Sequence, residues 1–187
     1  MLCERRFFGP RLGDFVKSFL IILVLISIYF PGTCRLATAR DEGEPLPCDY
    51  KKMGLDAAKF YIYLTQDTPY QSWAAWPETR KLSTGKAPHG AYVTTYVNPA
   101  ARRSIETKEG MAFGSLIVTE NFDADKKPTG LMVMLKIKGY NPRAGDWHWF
   151  HYDSRGTVIA AGRLETCVNC HRAGKDNDFL MTSPVRR

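Results

Sequence analysis

The sequence predicts an α+β fold: an antiparallel, roughly five-stranded β-sheet with flanking helices and a C-terminal helix carrying a CxxCH motif. Three observations predict it. Five runs of β-branched, aromatic or alternating residues lie between positions 91 and 160, and the separators hold Asp, Gly, Asn and Pro and are short enough for antiparallel neighbours. Two other stretches keep helical spacing. Cys167, Cys170 and His171 fall on what would be one helical turn near the end of the chain.

Taken in order, the apolar and aromatic residues at 57, 58, 60, 61 and 64 predict a helix from about Gly54 to Leu64. Trp73, Trp76 and Pro77 follow in a less regular stretch, and Gly85 to Gly90 (GKAPHG) is a turn by composition. Ala91 to Val97 (AYVTTYV) alternates as a strand. Asn98-Pro99 opens a helix to about Thr107, with Asn as N-cap and Pro at the first helical position. Ser115–Asn121, Leu131–Lys138, Trp147–Tyr152 and Thr157–Ala160 are the remaining strands. Together they make one domain over residues 54–187, preceded by a charged, proline-bearing lead-in over 40–53.

Residues 1–39 form a separate segment. Arg5, Arg6, Arg11 and Lys17 precede a twelve-residue apolar run, Phe19 to Phe30. As a helix the run spans about 18 Å, short of the ~30 Å of a bilayer core. Ala37-Thr38-Ala39 is a small-x-small pattern, so the segment is expected to be a signal peptide, with an N-terminal membrane anchor as the alternative. Either places the folded part outside the cytoplasm, in a periplasm or its equivalent. The same segment supplies +3 of the chain's net charge of +7. The other charges are interspersed, which argues against nucleic acid as a partner.

Cys3 and Cys34 belong to the leader, and Cys48 is the odd thiol of the lead-in. Cys167-Val168-Asn169-Cys170-His171 is the attachment pattern of c-type haem. Two thiols three positions apart can each form a thioether to a haem vinyl group, and the adjacent histidine becomes the axial ligand of the iron. Zinc is the alternative, but it needs a fourth ligand for which only Cys48 is an obvious source. A thioredoxin-like dithiol would want a βαβ unit, which the sequence lacks. Since sixteen residues follow His171, whatever covers the far side of a haem has to come from earlier in the chain.

At these residues the sequence resembles the cytochrome P-460 and cytochrome c′-beta family. The resemblance rests on Trp76-Pro77, Ala87-Pro88-His89-Gly90 followed by VTTYVN, Gly114 through Val118, KIKGYNPRAGDWHWF from Lys136, Gly156 through Gly162, CVNCH, and Asp176 through Phe179. It covers roughly residues 50–184. It implies a five-stranded antiparallel sheet, one covalent haem c at the sheet surface, and often a homodimer. In members that oxidise hydroxylamine a lysine on the glycine-led strand is bonded to the haem. Thr119 stands at that place here, so no lysine–haem cross-link is expected, and Lys136 and Lys138 read as solvated strand ends.

The distal-pocket candidates are Ile117, Thr119, Met132 and Met134, with His89 as a polar candidate from its turn. A histidine bonding its own loop is the alternative for His89. His148 and His151 fall on opposite faces of one strand, and Glu120 faces away from Thr119. Three functions compete: a five-coordinate haem protein binding nitric oxide or a related small ligand, a haem enzyme acting on hydroxylamine or peroxide, and a six-coordinate electron carrier serving a redox partner. Which residues would be catalytic is not fixed by the sequence.

Overall fold

The computed structural model describes residues 55–186. The leader, the lead-in with Cys48, and the first residue of the expected helix at Gly54 lie outside the described residues. Helix α1 (Ala57–Ile62) is capped by Asp56, whose carboxylate accepts from the Ala58 and Lys59 amides at 3.0 and 3.1 Å. It runs on as a wider π-turn over Tyr63–Asp67. Helix α2 (Pro99–Thr107) starts where Asn98-Pro99 predicts. The Asn98 side chain accepts from the Ala101 and Leu116 amides and donates to the Gly114 carbonyl, tying the helix start to the neighbouring strand.

The sheet contains β1 (Ala74–Ala75), β2 (Ser83–Thr84), β3 (Tyr92–Val97), β4 (Leu116–Phe122), β5 (Pro128–Lys136), β6 (Trp147–Asp153) and β7 (Val158–Gly162). Its order is β1-β3-β4-β5-β6-β7, with β2 also on β3, and all pairings are antiparallel. The five long strands are those the alternation predicts, as a meander. The two additions are two-residue segments of the irregular stretch around Trp76. They pair with β3 without an alternating run of their own. Strand β5 begins three residues earlier than the pattern indicates. Pairing continues through Gly130 to Pro128, where side-chain alternation gives no signal but Asp123 closes the turn by accepting from the Lys127 amide.

Register divides the sheet into two faces. On one, Tyr96, Leu116, Val118, Leu131, Val133, Leu135, Phe150 and Tyr152 pack under Phe60, Leu64 and Tyr70. On the other, Val97, Ile117, Met134, Trp147 and Trp149 pack with Trp76, α2 residues Ala101 and Ile105, and C-terminal residues Val168, Leu180 and Val185. Among the described residues no helix is long and apolar enough to cross a membrane.

Candidate functional site

Helix α3 (Glu165–His171) carries the motif. Val168 is buried and anchors the helix on the second face of the sheet. Cys167 is partly buried against the same core, which pushes its thiol pKa up, while Cys170 is exposed. Both cysteines are free thiols. The His171 ring packs edge-on to Trp149 with centroids 4.7 Å apart. Its Nδ1 lies 2.7 Å from the Phe179 carbonyl oxygen. A carbonyl can only accept, so Nδ1 carries the proton and Nε2 keeps its lone pair for a metal.

That carbonyl belongs to an unusual piece of backbone. Asp178 and Phe179 both take left-handed conformations, φ 60° and 62°, which cost a non-glycine residue roughly 1–2 kcal/mol each. Around them the contacts are dense. Asp178 accepts from the Met111 amide at 2.8 Å and from the Lys136 ammonium, and its carbonyl accepts from Trp147 Nε1 at 2.9 Å. The Phe179 amide donates to the Gly174 carbonyl at 2.8 Å. Gly174 is needed there, because a Cβ would sit 2.4 Å from the Leu180 carbonyl oxygen. Lys136 and Asp178 are both buried, with side chains 7% and 2% exposed, which corrects the expectation that Lys136 is a solvated strand end. Burial lowers the Lys136 pKa and the carboxylate opposes that. Lys138 is exposed, as expected.

Ile117, Thr119, Met132 and Met134 share the face toward α3, with Ile117 opposite Met134 and Thr119 opposite Met132. The last pair extends into a row: Thr95, Thr119, Met132, His151 and Ala160 stand side by side on five successive strands. Every member of that row is only partly buried, although the next row toward the C-terminal helix (Val97, Ile117, Met134 and Trp149) is closed. An uncovered strip across the middle of a sheet face is the shape a flat cofactor would cover. Thr95 and Thr119 hydroxyls lie 3.4 Å apart. Glu120 turns to the opposite face, where it accepts from the Tyr70 hydroxyl at 2.8 Å.

His89 reaches the same region from the turn before β3. Gly90 sets the turn: its φ is +84°, and a Cβ would come within 2.5 Å of the Phe122 carbonyl oxygen. The loop-bonding alternative holds for the His89 main-chain N–H, which donates to Lys86, but not for the imidazole. The ring points inward, with its centroid 6.2 Å from that of His171, and burial and the neighbouring His171 lower its pKa. Asn121 lies beside it and opposes that shift, yet His89 Nδ1 and Asn121 Oδ1 are buried with no partner in hydrogen-bond geometry, as is Trp149 Nε1. Six described side chains hold buried atoms without a partner, and two of them, His89 and Trp149, are rings beside His171. They fit a group that brings its own polar atoms to this side.

The donor set fits a c-type haem: two thiols at the right spacing, an imidazole with a free Nε2, and a partly uncovered sheet face alongside. Among the described residues no three His, Cys, Asp or Glu side chains converge as a metal site, so the zinc alternative gains no support from them. Sequence reasoning missed His151, Asn121 and the Lys136–Asp178 pair. Asn121 does carry a signal, since it has the parity of Thr119 on the same strand, whereas His151 is placed by its pairing with Met132. Met181 is exposed near the C-terminus. A family model described as cytochrome P460 matches residues 68–182, a span from before β1 to beyond α3. No curated protein matches the chain.

Proposed function

The chain belongs to the cytochrome P460 family, and from that premise we propose that it is an exported c-type cytochrome whose five-coordinate iron binds nitric oxide or a related small ligand. Membership implies a c-type haem. In this reading Cys167 and Cys170 hold one haem by thioether bonds and His171 is the protein ligand of its iron. Once bound, the haem supplies an iron with a coordination position for a small molecule. The chain's own residues do the rest. Phe179 orients His171, Trp149 supports the ring, and the sheet face limits what can approach.

The observation that carries the reading is the half-covered row through Thr119 and Met132. None of its members is a lysine, arginine, aspartate or glutamate, so it favours a small uncharged ligand over an anion. The hydroxylamine-oxidising alternative asks for a lysine where Thr119 stands, and the acidic residue next to it, Glu120, is held to Tyr70 on the other face. A specific observation favours the electron-carrier alternative: His151 stands next to Met132 in the row, and His89 lies close to His171, so a side chain could take the sixth position. Titrating the reduced holoprotein with nitric oxide separates the readings. Stoichiometric binding is expected. A protein that ignores nitric oxide would be an electron carrier, and catalytic turnover of hydroxylamine would mark an enzyme.

The homodimer and the extracytoplasmic location belong to the same proposal. β7 is a sheet edge with Val158 and Ile159 exposed, which supports a second copy as its neighbour. Sedimentation at micromolar concentration is expected to give twice the monomer mass.

A further inference from the structure

We infer that the buried Lys136–Asp178 ion pair is a positioning device for His171, acting through the Phe179 carbonyl. The inference rests on the haem reading above, since it concerns how the iron's protein ligand is held.

His171 donates its Nδ1 proton to a main-chain oxygen, and a main-chain oxygen is only as fixed as its peptide. Here that peptide, Phe179–Leu180, directly follows two consecutive left-handed non-glycine residues, Asp178 and Phe179, a conformation the local chain does not favour. It is held from outside. Asp178 is gripped through its side chain by Lys136 from β5 and by the Met111 amide, and through its carbonyl by Trp147 from β6. Arg186 adds a longer contact, 3.7 Å, from the C-terminal segment. The Lys136 ammonium also lies over the Trp147 ring, 5.0 Å from its centroid, so the two tethers support each other.

For stability alone, an ion pair buried this deeply is a poor choice, because well-packed apolar residues would commonly do as well or better. What the pair adds is a defined direction. It fixes the residue next to the carbonyl that sets the tautomer and orientation of His171. The strength of that donated bond in turn sets the basicity of Nε2, and a more basic imidazole favours ferric over ferrous iron.

The test uses the holoprotein and two readouts, the reduction potential and the iron–histidine stretching band of the ferrous form. Lys136→Met and Asp178→Asn are both expected to raise the potential and to shift the band to lower frequency, because both loosen the same bond. Acting merely as charges, the two groups would shift the potential in opposite directions: losing the cation lowers it and losing the anion raises it. Opposite signs, or a folded haem-bearing variant with band and potential unchanged, would overturn the inference. Lys136→Arg should restore values near wild type. If a single variant fails to fold, Lys136→Met/Asp178→Leu leaves no unpaired buried charge, and the same upward potential shift and lower band are expected of it. Wild-type protein without covalent haem would defeat the functional reading, and this inference with it; attached haem with unresponsive variants defeats the inference alone.

Discussion

The two faces of the sheet are built from the same strands, yet they are finished differently. Beneath α1, aromatic rings stack on one another, with Phe60 and Phe150 centroids 4.5 Å apart, and both buried phenols find partners: Tyr70 donates to Glu120 and Tyr152 to the Ala57 carbonyl, leaving His148 Nδ1 as the one buried side-chain atom of this face without a partner among the described residues. Burial, and for Tyr70 the Glu120 bond, push both phenols above their usual pKa, so they remain donors at any physiological pH. Toward α3 the middle row is half-uncovered, and His89, Asn121 and Trp149 hold buried atoms without partners. The two faces therefore draw their stability from different sources. One is completed by the chain itself, and the other is written for something the chain must acquire.

The sharpest break of this comparison is at the motif. Cys167→Ala and Cys170→Ala should each weaken haem retention, and the double variant should lose it through denaturation and acid–acetone extraction. His171→Ala should abolish normal iron ligation while leaving thioethers intact. Free haem extracted from wild-type protein would remove the contrast between the faces.

Next come truncations on the closed face. Leu64 is fully buried there, so Leu64→Ala should cost about 3 kcal/mol in denaturant unfolding and leave ligand affinity unchanged. A large change in ligand affinity would mean that the faces are not independent.

A pH dependence also belongs to the closed face. His148 packs on Phe150 and Tyr140, and burial lowers its pKa to about 4. The unfolded chain binds its proton near pH 6.5, so between those values the unfolded state holds more protons and stability rises with pH. The contribution is full above about pH 6.5 and falls as pH drops toward 4, by on the order of 3 kcal/mol. His148→Leu should flatten that part of a stability-versus-pH curve. An unchanged slope would place the titration elsewhere.

The smallest effects should come from the open row. Thr119→Val loses only a 3.4 Å hydroxyl contact with Thr95 and should alter stability by less than about 1 kcal/mol, while changing ligand dissociation. Intact-mass measurement should give chain plus haem with two thioethers and nothing further. Thr119→Lys, on the same face and row, should permit an added lysine–haem cross-link when the holoprotein is given hydrogen peroxide as the two-electron oxidant, detectable in a tryptic digest.

Strand existence was legible because alternation is a local property, and so were the Asn98-Pro99 helix start and the shared face of Ile117, Thr119, Met132 and Met134. Which of the two faces meets α3 was not, because a period of two sorts residues into sets without saying what covers each. His151 was passed over for that reason: its register against Met132 is set by hydrogen bonding between β5 and β6, not by its neighbours in sequence. Lys136 was misjudged because its partner lies 42 residues away, beyond the motif, on a segment whose conformation is fixed only by tertiary contacts. The motif Cys167, Cys170 and His171 is legible because it depends on spacing within one turn of helix, and α3 carries all three residues.

The central claim is that the open face leaves an iron accessible to a small uncharged ligand. Its most direct test is the visible spectrum of the reduced holoprotein before and after carbon monoxide. A five-coordinate, high-spin spectrum is expected, converting to a six-coordinate, low-spin one when the gas is added. A low-spin spectrum from the start, unchanged by carbon monoxide, would contradict it and place a side chain of His89, Met132, Met134 or His151 on the iron.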